Sequence, residues 1–259
     1  MDAWLSSLDS LAPLDLAADW DNVGLLVEGN REVQRVLLCI DLTAAVHAEV
    51  ERLDADLVVA YHPPIFDGLR RLRTQTARGR VLLSSIRAGR HIYSPHTALD
   101  AVPGGVNDWL LEGFGTLVDV RPIEPAATNP AAGAGRRARL ATPLDGAAVV
   151  PRIAAHLGLT TLRVAGAVDA VRSVAVCPGA GGSLLRSIRD VDLLLTGEMR
   201  HHDVLACAEA GVAVVLTDHT NTERGYLPRY AQSIRAALPR VEVHVSGADR
   251  DPLVPWSAA

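Results

Sequence analysis

Seven short apolar runs punctuate the chain: 33–40 (VQRVLLCI), 56–62 (DLVVAYH), 91–94 (HIYS), 172–177 (RSVAVC), 191–196 (VDLLLT), 211–217 (GVAVVLT) and 241–246 (VEVHVS). Several are nearly continuous in Val, Leu and Ile, the pattern of strands buried on both faces. The longer stretches between them, 43–53, about 74–89, 105–113, 183–189, 200–210 and 222–238, read as helices. Strand–helix alternation of this kind predicts an α/β protein with a largely parallel sheet.

The segment 124–137 (EPAATNPAAGAGRR) breaks the rhythm. It is rich in Pro, Ala and Gly, lacks periodicity, and reads as a linker or mobile loop. Beyond it, RARLAT, a helix over 146–157 and TTLRVAGA form a β-α-β-like unit. The expected organisation is a small α/β domain, 123–171, inserted into a larger one made of 1–122 and 172–259.

With 259 residues and 49% hydrophobic content the chain can bury a sizeable core, and this excludes disorder. A net charge of −5 argues against a dedicated nucleic-acid binder. All 25 basic residues are Arg, which excludes Schiff-base chemistry and the P-loop lysine. Cys39, Cys177 and Cys207 are odd in number and widely spaced, so they read as buried, inert thiols rather than a disulfide framework or a structural zinc site. The first residues carry acidic groups and no basic n-region, and no apolar stretch approaches the ~20 residues of a membrane span. The expectation is a soluble, cytoplasmic protein.

Ligands of open α/β sheets bind beyond the carboxyl ends of the strands. His62 follows the run 56–62; His96 and Asp100 follow 91–94; Glu198, His201, His202 and Asp203 follow 191–196; Asp218, His219 and Glu223 follow 211–217. His96 and Asp100 are four apart, as are His219 and Glu223, and on a helical turn such pairs share a face. Imidazole with carboxylate suits Zn, Fe or Mn rather than Ca or Mg, and a carboxylate can bridge two ions. Blander readings stand beside this one. Thr220-x-x-Glu223 matches a capping box, His62 and Asp100 suit turns, and the pair His201 and His202 suits a solvated helix face. Asp41 and Thr43 read as a strand exit and a helix cap, and His47, His91, His156 and His244 as structural. The Gly-rich turn Cys177–Ser183 follows a strand, but Leu184 occupies the third glycine's place of G-x-G-x-x-G; a tight turn is favoured over an anion contact. Seven Arg and no acidic residue lie between Arg70 and Arg90, which reads as a solvated face, a subunit contact or a steering field for anions. No G-x-S-x-G elbow is present.

The segments DWDNVGLLVE (19–28), AYHPPIF (60–66), IYSPHTALDAVPGGVNDWL (92–110), CPGAGGS (177–183), LLTGEMRHHDVL (194–205) and TDHTNTERGYL (217–227), taken in order, resemble the Nif-three-like family. That family is also called the GTP cyclohydrolase I type 2 family and is described as dinuclear-metal, hexameric proteins. The resemblance implies a two-domain α/β fold, metals in a cavity of the larger domain, the smaller domain in the middle segment, and a homohexameric ring. It implies metal ligation by His62, Asp100, His219 and Glu223, with Glu223 bridging. His96 matches a histidine beside the metals that ligates or moves protons, and Glu198, His201 and His202 fall in a block near the cavity. One position departs. Many bacterial members read His-His-Pro where this chain has Tyr61-His62-Pro63, and a phenol of ordinary pKa about 10 is a poor ligand for a divalent ion. One or two divalent ions per chain (Zn, Fe or Mn) are therefore both open.

The expected function is metal-dependent hydrolysis of a small anionic or nucleotide-like substrate, with His96 or His201 as the catalytic proton carrier and a GTP cyclohydrolase-like activity implied by the resemblance. A metal carrier or a regulatory interaction protein without chemistry of its own is the alternative.

Overall fold

The computed structural model describes residues 3–254 and 256. They fall into two compact units, one built from the chain up to Leu99 together with Tyr226–Arg250, the other from Asp100–Gly225 and the segment from Asp251 onward.

The first unit is organised on a five-stranded sheet in the order Gly24–Val27, His91–Ser94, Leu57–Ala60, Arg35–Cys39, Glu242–Val245. The last four run parallel and Gly24–Val27 pairs antiparallel at the edge. Leu57–Ala60 and His91–Ser94 are buried along their whole length, as continuous apolar runs dictate. The core gathers Leu37, Val46, Val50, Val58, Leu82 and Ile92. Helix Ala44–Leu53 starts where the Thr43 hydroxyl accepts from the Val46 N–H, and Ala77–Arg87 starts where Thr76 accepts from Gly79.

The second unit has a six-stranded sheet in the order Leu117–Arg121, Arg136–Asp145, Ala170–Cys177, Leu193–Thr196, Ala213–Leu216, Arg163–Ala165. Only Ala170–Cys177, Leu193–Thr196 and Ala213–Leu216 are mutually parallel; the flanking strands are antiparallel. Its core packs Ala175, Leu185, Leu194, Cys207 and Val214.

All seven apolar runs contain strands, but they divide between two mixed sheets instead of one largely parallel sheet. The edge strands of the second sheet, Leu117–Arg121 and Arg163–Ala165, are short and largely exposed, so they lack the continuous apolar runs of the interior strands. The inserted unit also has different bounds from those expected. Ala170–Cys177 pairs with Arg136–Asp145 on one side and Leu193–Thr196 on the other. Residues 123–171 and 172–225 thus share one sheet, and the divisions fall at 99/100 and 225/226. Nor is 124–137 a free linker. Glu124–Pro125 pairs with Gly133–Ala134. Arg136 is 1% exposed, and its Nε donates to Asp108 Oδ1 (2.9 Å), its Nη1 to the Gly133 (2.7 Å) and Gly135 (2.9 Å) carbonyls and its Nη2 to that of Ala101 (2.9 Å).

Candidate metal centre

In the first unit, His62 follows the strand Leu57–Ala60 directly, kept in line by its N–H donating to the Ile40 carbonyl at 3.0 Å. Its Nδ1 lies 3.0 Å from Asp41 Oδ1. Asp41 therefore does more than end a strand. Thr43 caps the following helix, and the Asp41 carboxylate orients an imidazole 21 residues away in sequence.

His96 opens the short helix His96–Ala101 with φ of +28°, a conformation a non-glycine residue adopts only when its surroundings enforce it. What enforces it is Asp21. Asp21 Oδ1 lies 2.8 Å from His96 Nδ1, and Oδ2 accepts from the Thr97 N–H (3.1 Å) and the Thr97 hydroxyl. The Asp21 side chain is fully buried. Burial alone would raise its pKa, but the hydrogen bonds from His96 and Thr97 and the His96 charge together outweigh it and hold the carboxyl below its ordinary value. An ionised carboxylate only accepts, so the proton in this contact sits on His96 Nδ1 and leaves Nε2 for other chemistry. The rings of Tyr61 and His62 stand edge-on to His96, with centroids at 5.5 and 5.3 Å. Tyr61, the phenol at the departing position, is 2% exposed.

In the second unit, His219 follows the strand Ala213–Leu216 after Asp218, itself at φ +66°. Two carboxylates flank the ring. Glu198 Oε2 lies 3.4 Å from Nδ1, and Glu223 Oε1 lies 3.5 Å from Nε2. Glu198 is exposed, whereas Glu223 is 3% exposed. Thr220–Thr222 forms a single 3-10 turn ending at Glu223, and the next α-helix begins only at Leu227. The capping-box reading of Glu223 is thus replaced. Its carboxylate faces the His219 ring, and the Thr220 hydroxyl is engaged with Asp251 and Arg224.

The Gly-rich turn makes room for this pair. At Gly179 (φ +57°) a Cβ would stand 2.7 Å from Glu223 Oε1 and 2.8 Å from His219 Nε2. The turn's N–H groups are consumed internally: Gly179 donates to Thr222 Oγ1 (2.7 Å), Gly181 to Thr196 Oγ1 (3.1 Å) and Gly182 to the Glu198 carbonyl (3.2 Å). It is a structural turn whose second task is to leave a gap beside His219.

Asp100 closes the helix His96–Ala101, and its carbonyl accepts from Asn107 Nδ2 at 3.0 Å. Burial first, and then the charges of Asp100, Glu223 and Glu124, push the Cys177 thiol far above its ordinary pKa. Cys39 and Cys207 are buried. His201 and His202 sit exposed at the start of helix His201–Glu209, their rings against each other at 5.3 Å. Of the histidines read as structural, His91 is engaged at both nitrogens by backbone, with the Gly29 N–H and the Arg31 carbonyl each at 3.0 Å. In the Arg70–Arg90 stretch six guanidinium-bearing residues are exposed; Arg90 is buried and donates to the Ala55 carbonyl.

Within the second unit, His219 Nε2 and the buried Glu223 carboxylate are donors that could take part in holding a metal ion. The chemistry fits. A metal-ligating imidazole typically gives its other ring N–H to a carboxylate, and His62 Nδ1 has Asp41 Oδ1 at 3.0 Å. Two ligand atoms each about 2.1 Å from a tetrahedral ion stand about 3.4 Å apart. The 3.5 Å between His219 Nε2 and Glu223 Oε1 matches that spacing better than a good hydrogen bond. Sequence reasoning missed the orienting roles of Asp21 and Asp41. Asp21 lies far from any of the strand ends considered, and Asp41, at a strand end, carries no imidazole at metal spacing, so neither was tied to a histidine by sequence position.

The family model described as Duf34/NIF3 (NGG1p interacting factor 3) matches residues 1–252. NIF3-like protein 1 of Drosophila melanogaster is 38% identical over 97% of this chain and 88% of its own length. The GTP cyclohydrolase 1 type 2 homolog of Clostridium perfringens is 31% identical over 96% of each chain. The crystal structure of a Bacillus cereus protein related to NIF3 superposes with a TM-score of 0.85 at 21% identity, covering 98% of both chains, and shows the same fold.

Proposed function

The chain belongs to the Duf34/NIF3 family, and on that premise we propose that it is a metal-dependent hydrolase of a small anionic or nucleotide-like substrate. The observation that carries the reading is the His219 ring set between Glu198 and the buried Glu223, over a glycine whose Cβ would fill the gap. Within the second unit His219 would ligate through Nε2 and Glu223 through its carboxylate, and the family resemblance implies His62 and Asp100 as the further ligands. A divalent ion in this set supplies a Lewis acid that activates water and polarises the substrate.

The remaining work falls to the protein's own groups. Asp41 and Glu198 fix the tautomers of His62 and His219. His96, with its proton pinned on Nδ1 by ionised Asp21, presents Nε2 to take a proton, and Asp21 stabilises the imidazolium that results. The Asp21 pairing favours His96 over His201, which has no such partner among the described residues. The printed name of the Clostridium relative makes GTP the first substrate to try. A homohexamer is proposed as the working assembly, checked by light scattering in solution.

The description of the family as an interacting factor favours one rival, a metal carrier or regulatory protein with no turnover. Elemental analysis of the untagged protein, with His219→Ala and Glu223→Ala beside it, tests the centre. One or two ions per chain in the parent and loss in both variants support it. Absence of metal after reloading with Zn, Fe and Mn overturns it. Metal retained through turnover of GTP or another nucleotide supports the hydrolase, while metal surrendered to an acceptor without turnover supports the carrier.

A further inference from the structure

Beside the carboxylate that orients His219, the second unit carries a cavity of about 600 Å³. Its lining includes Arg163, Arg186, Arg200, Ser183, Glu198 and Asp203, with Met199 and Leu216 as apolar wall. Three guanidinium groups face two carboxylates, and one of those, Glu198, is already turned to the His219 ring. Arg163 is ion-paired with Asp218. Among the described residues neither Arg186 nor Arg200 has an ion-pair partner, and both are exposed to the cavity's solvent. A concave surface with surplus arginine attracts anions, and the planar guanidinium fork matches the oxygens of a phosphoryl group better than an ammonium does. Nothing in the metal centre itself accounts for these arginines.

We propose that this cavity binds the phosphoryl group of the substrate through Arg186 and Arg200, which makes the substrate class phosphorylated small molecules. The inference deepens the hydrolase reading and rests on it: Glu198 is both the wall of the cavity and the partner of His219, so a phosphoryl group held here is anchored next to the centre. The volume suits a ligand of nucleotide size. Met199 and Leu216 give the uncharged part of such a molecule an apolar surface. Asp203 opposes the anion, which sets a direction for the test.

The probe is inorganic pyrophosphate, titrated calorimetrically into the full-length protein. Saturable binding is expected in the parent. Arg186→Gln and Arg200→Gln should each weaken it by about tenfold, the loss typical of one charge-assisted contact. Asp203→Asn should tighten it, and Arg87→Gln, on the first unit's exposed helix, should leave it unchanged. The same titration on His219→Ala separates the arginines from a metal ion as the binder, and persistence of binding there supports the cavity. No saturable binding in the parent at millimolar pyrophosphate, or equal binding by the Arg186→Gln/Arg200→Gln double variant, overturns the proposal. Metal content is measured on every sample. Arginine-dependent binding with no metal uptake would sustain the cavity and overturn the metal reading, whereas metal uptake with arginine-independent binding would do the reverse.

Discussion

His96 Nδ1 and Asp21 Oδ1 lie 2.8 Å apart, although 75 residues of chain separate them. The contact repeats at two other imidazoles, His62 with Asp41 at 3.0 Å and His219 with Glu198 at 3.4 Å. In each case a carboxylate stands beside Nδ1, and at His219 a second one, Glu223, stands 3.5 Å from Nε2. This shared polarity distinguishes the three from His91, where backbone groups occupy both nitrogens.

Asp21→Asn removes the anion that stabilises a protonated His96. Turnover should fall by about a hundredfold or more, the usual range for a disabled acid–base group, while metal content stays at the parental value. Steady-state kinetics paired with elemental analysis reads both. Loss of metal in this variant would instead make His96 a ligand.

The same carboxyl links stability to pH. Its folded pKa lies below the ordinary value of 3.8, so the folded state favours the ionised form. The stabilisation is complete above about pH 4 and is lost as pH falls through the folded value. Urea titrations between pH 6 and 3 should show the parent losing stability at the acid end, with a shallower loss in Asp21→Asn. Parallel curves would mean that other groups dominate the acid limb.

Replacing Asp41 by Ala leaves His62 in place but unoriented. A carboxylate of this kind typically contributes about 10- to 100-fold in metal affinity. Competition against a chelator of known affinity should show a drop of that size, with the circular dichroism spectrum unchanged.

Gly179→Ala forces a Cβ into a left-handed position and to within 2.8 Å of the His219 and Glu223 donor atoms. A stability cost of about 1 kcal/mol is expected from the backbone alone, together with reduced metal occupancy. Full occupancy after reloading would show that the gap is not part of the centre.

Arg136→Met tests the ordered stretch that composition marks as a linker. It removes a guanidinium at 1% exposure and leaves three carbonyls without their donor, while Asp108 keeps the Gly104 N–H. Breaking one side of a buried pair costs about 3–5 kcal/mol, visible as a large drop in the urea midpoint. A change under about 1 kcal/mol would mean the pocket fills with water.

The alternation of apolar runs and helical stretches is written locally, because each buried strand must carry its own Val, Leu and Ile. The seven strands within these runs and the helices Ala44–Leu53, Gly146–Leu157 and His201–Glu209 were legible for that reason. The four-residue spacing of His219 and Glu223 after a strand end was readable too, since spacing is a property of the chain itself. Pairing is not local. Edge strands such as Arg163–Ala165 are short and exposed and are recruited by a neighbour's free edge, so the division into two sheets, and with it the bounds of the inserted unit, emerged only on folding. Asp21 and Asp41 are two acidic residues among 30 until the fold carries each to an imidazole. The sequence by itself determined which residues could do the chemistry; the tertiary structure decided which carboxylate faces which nitrogen, because a hydrogen bond depends on distance in space and not on separation along the chain.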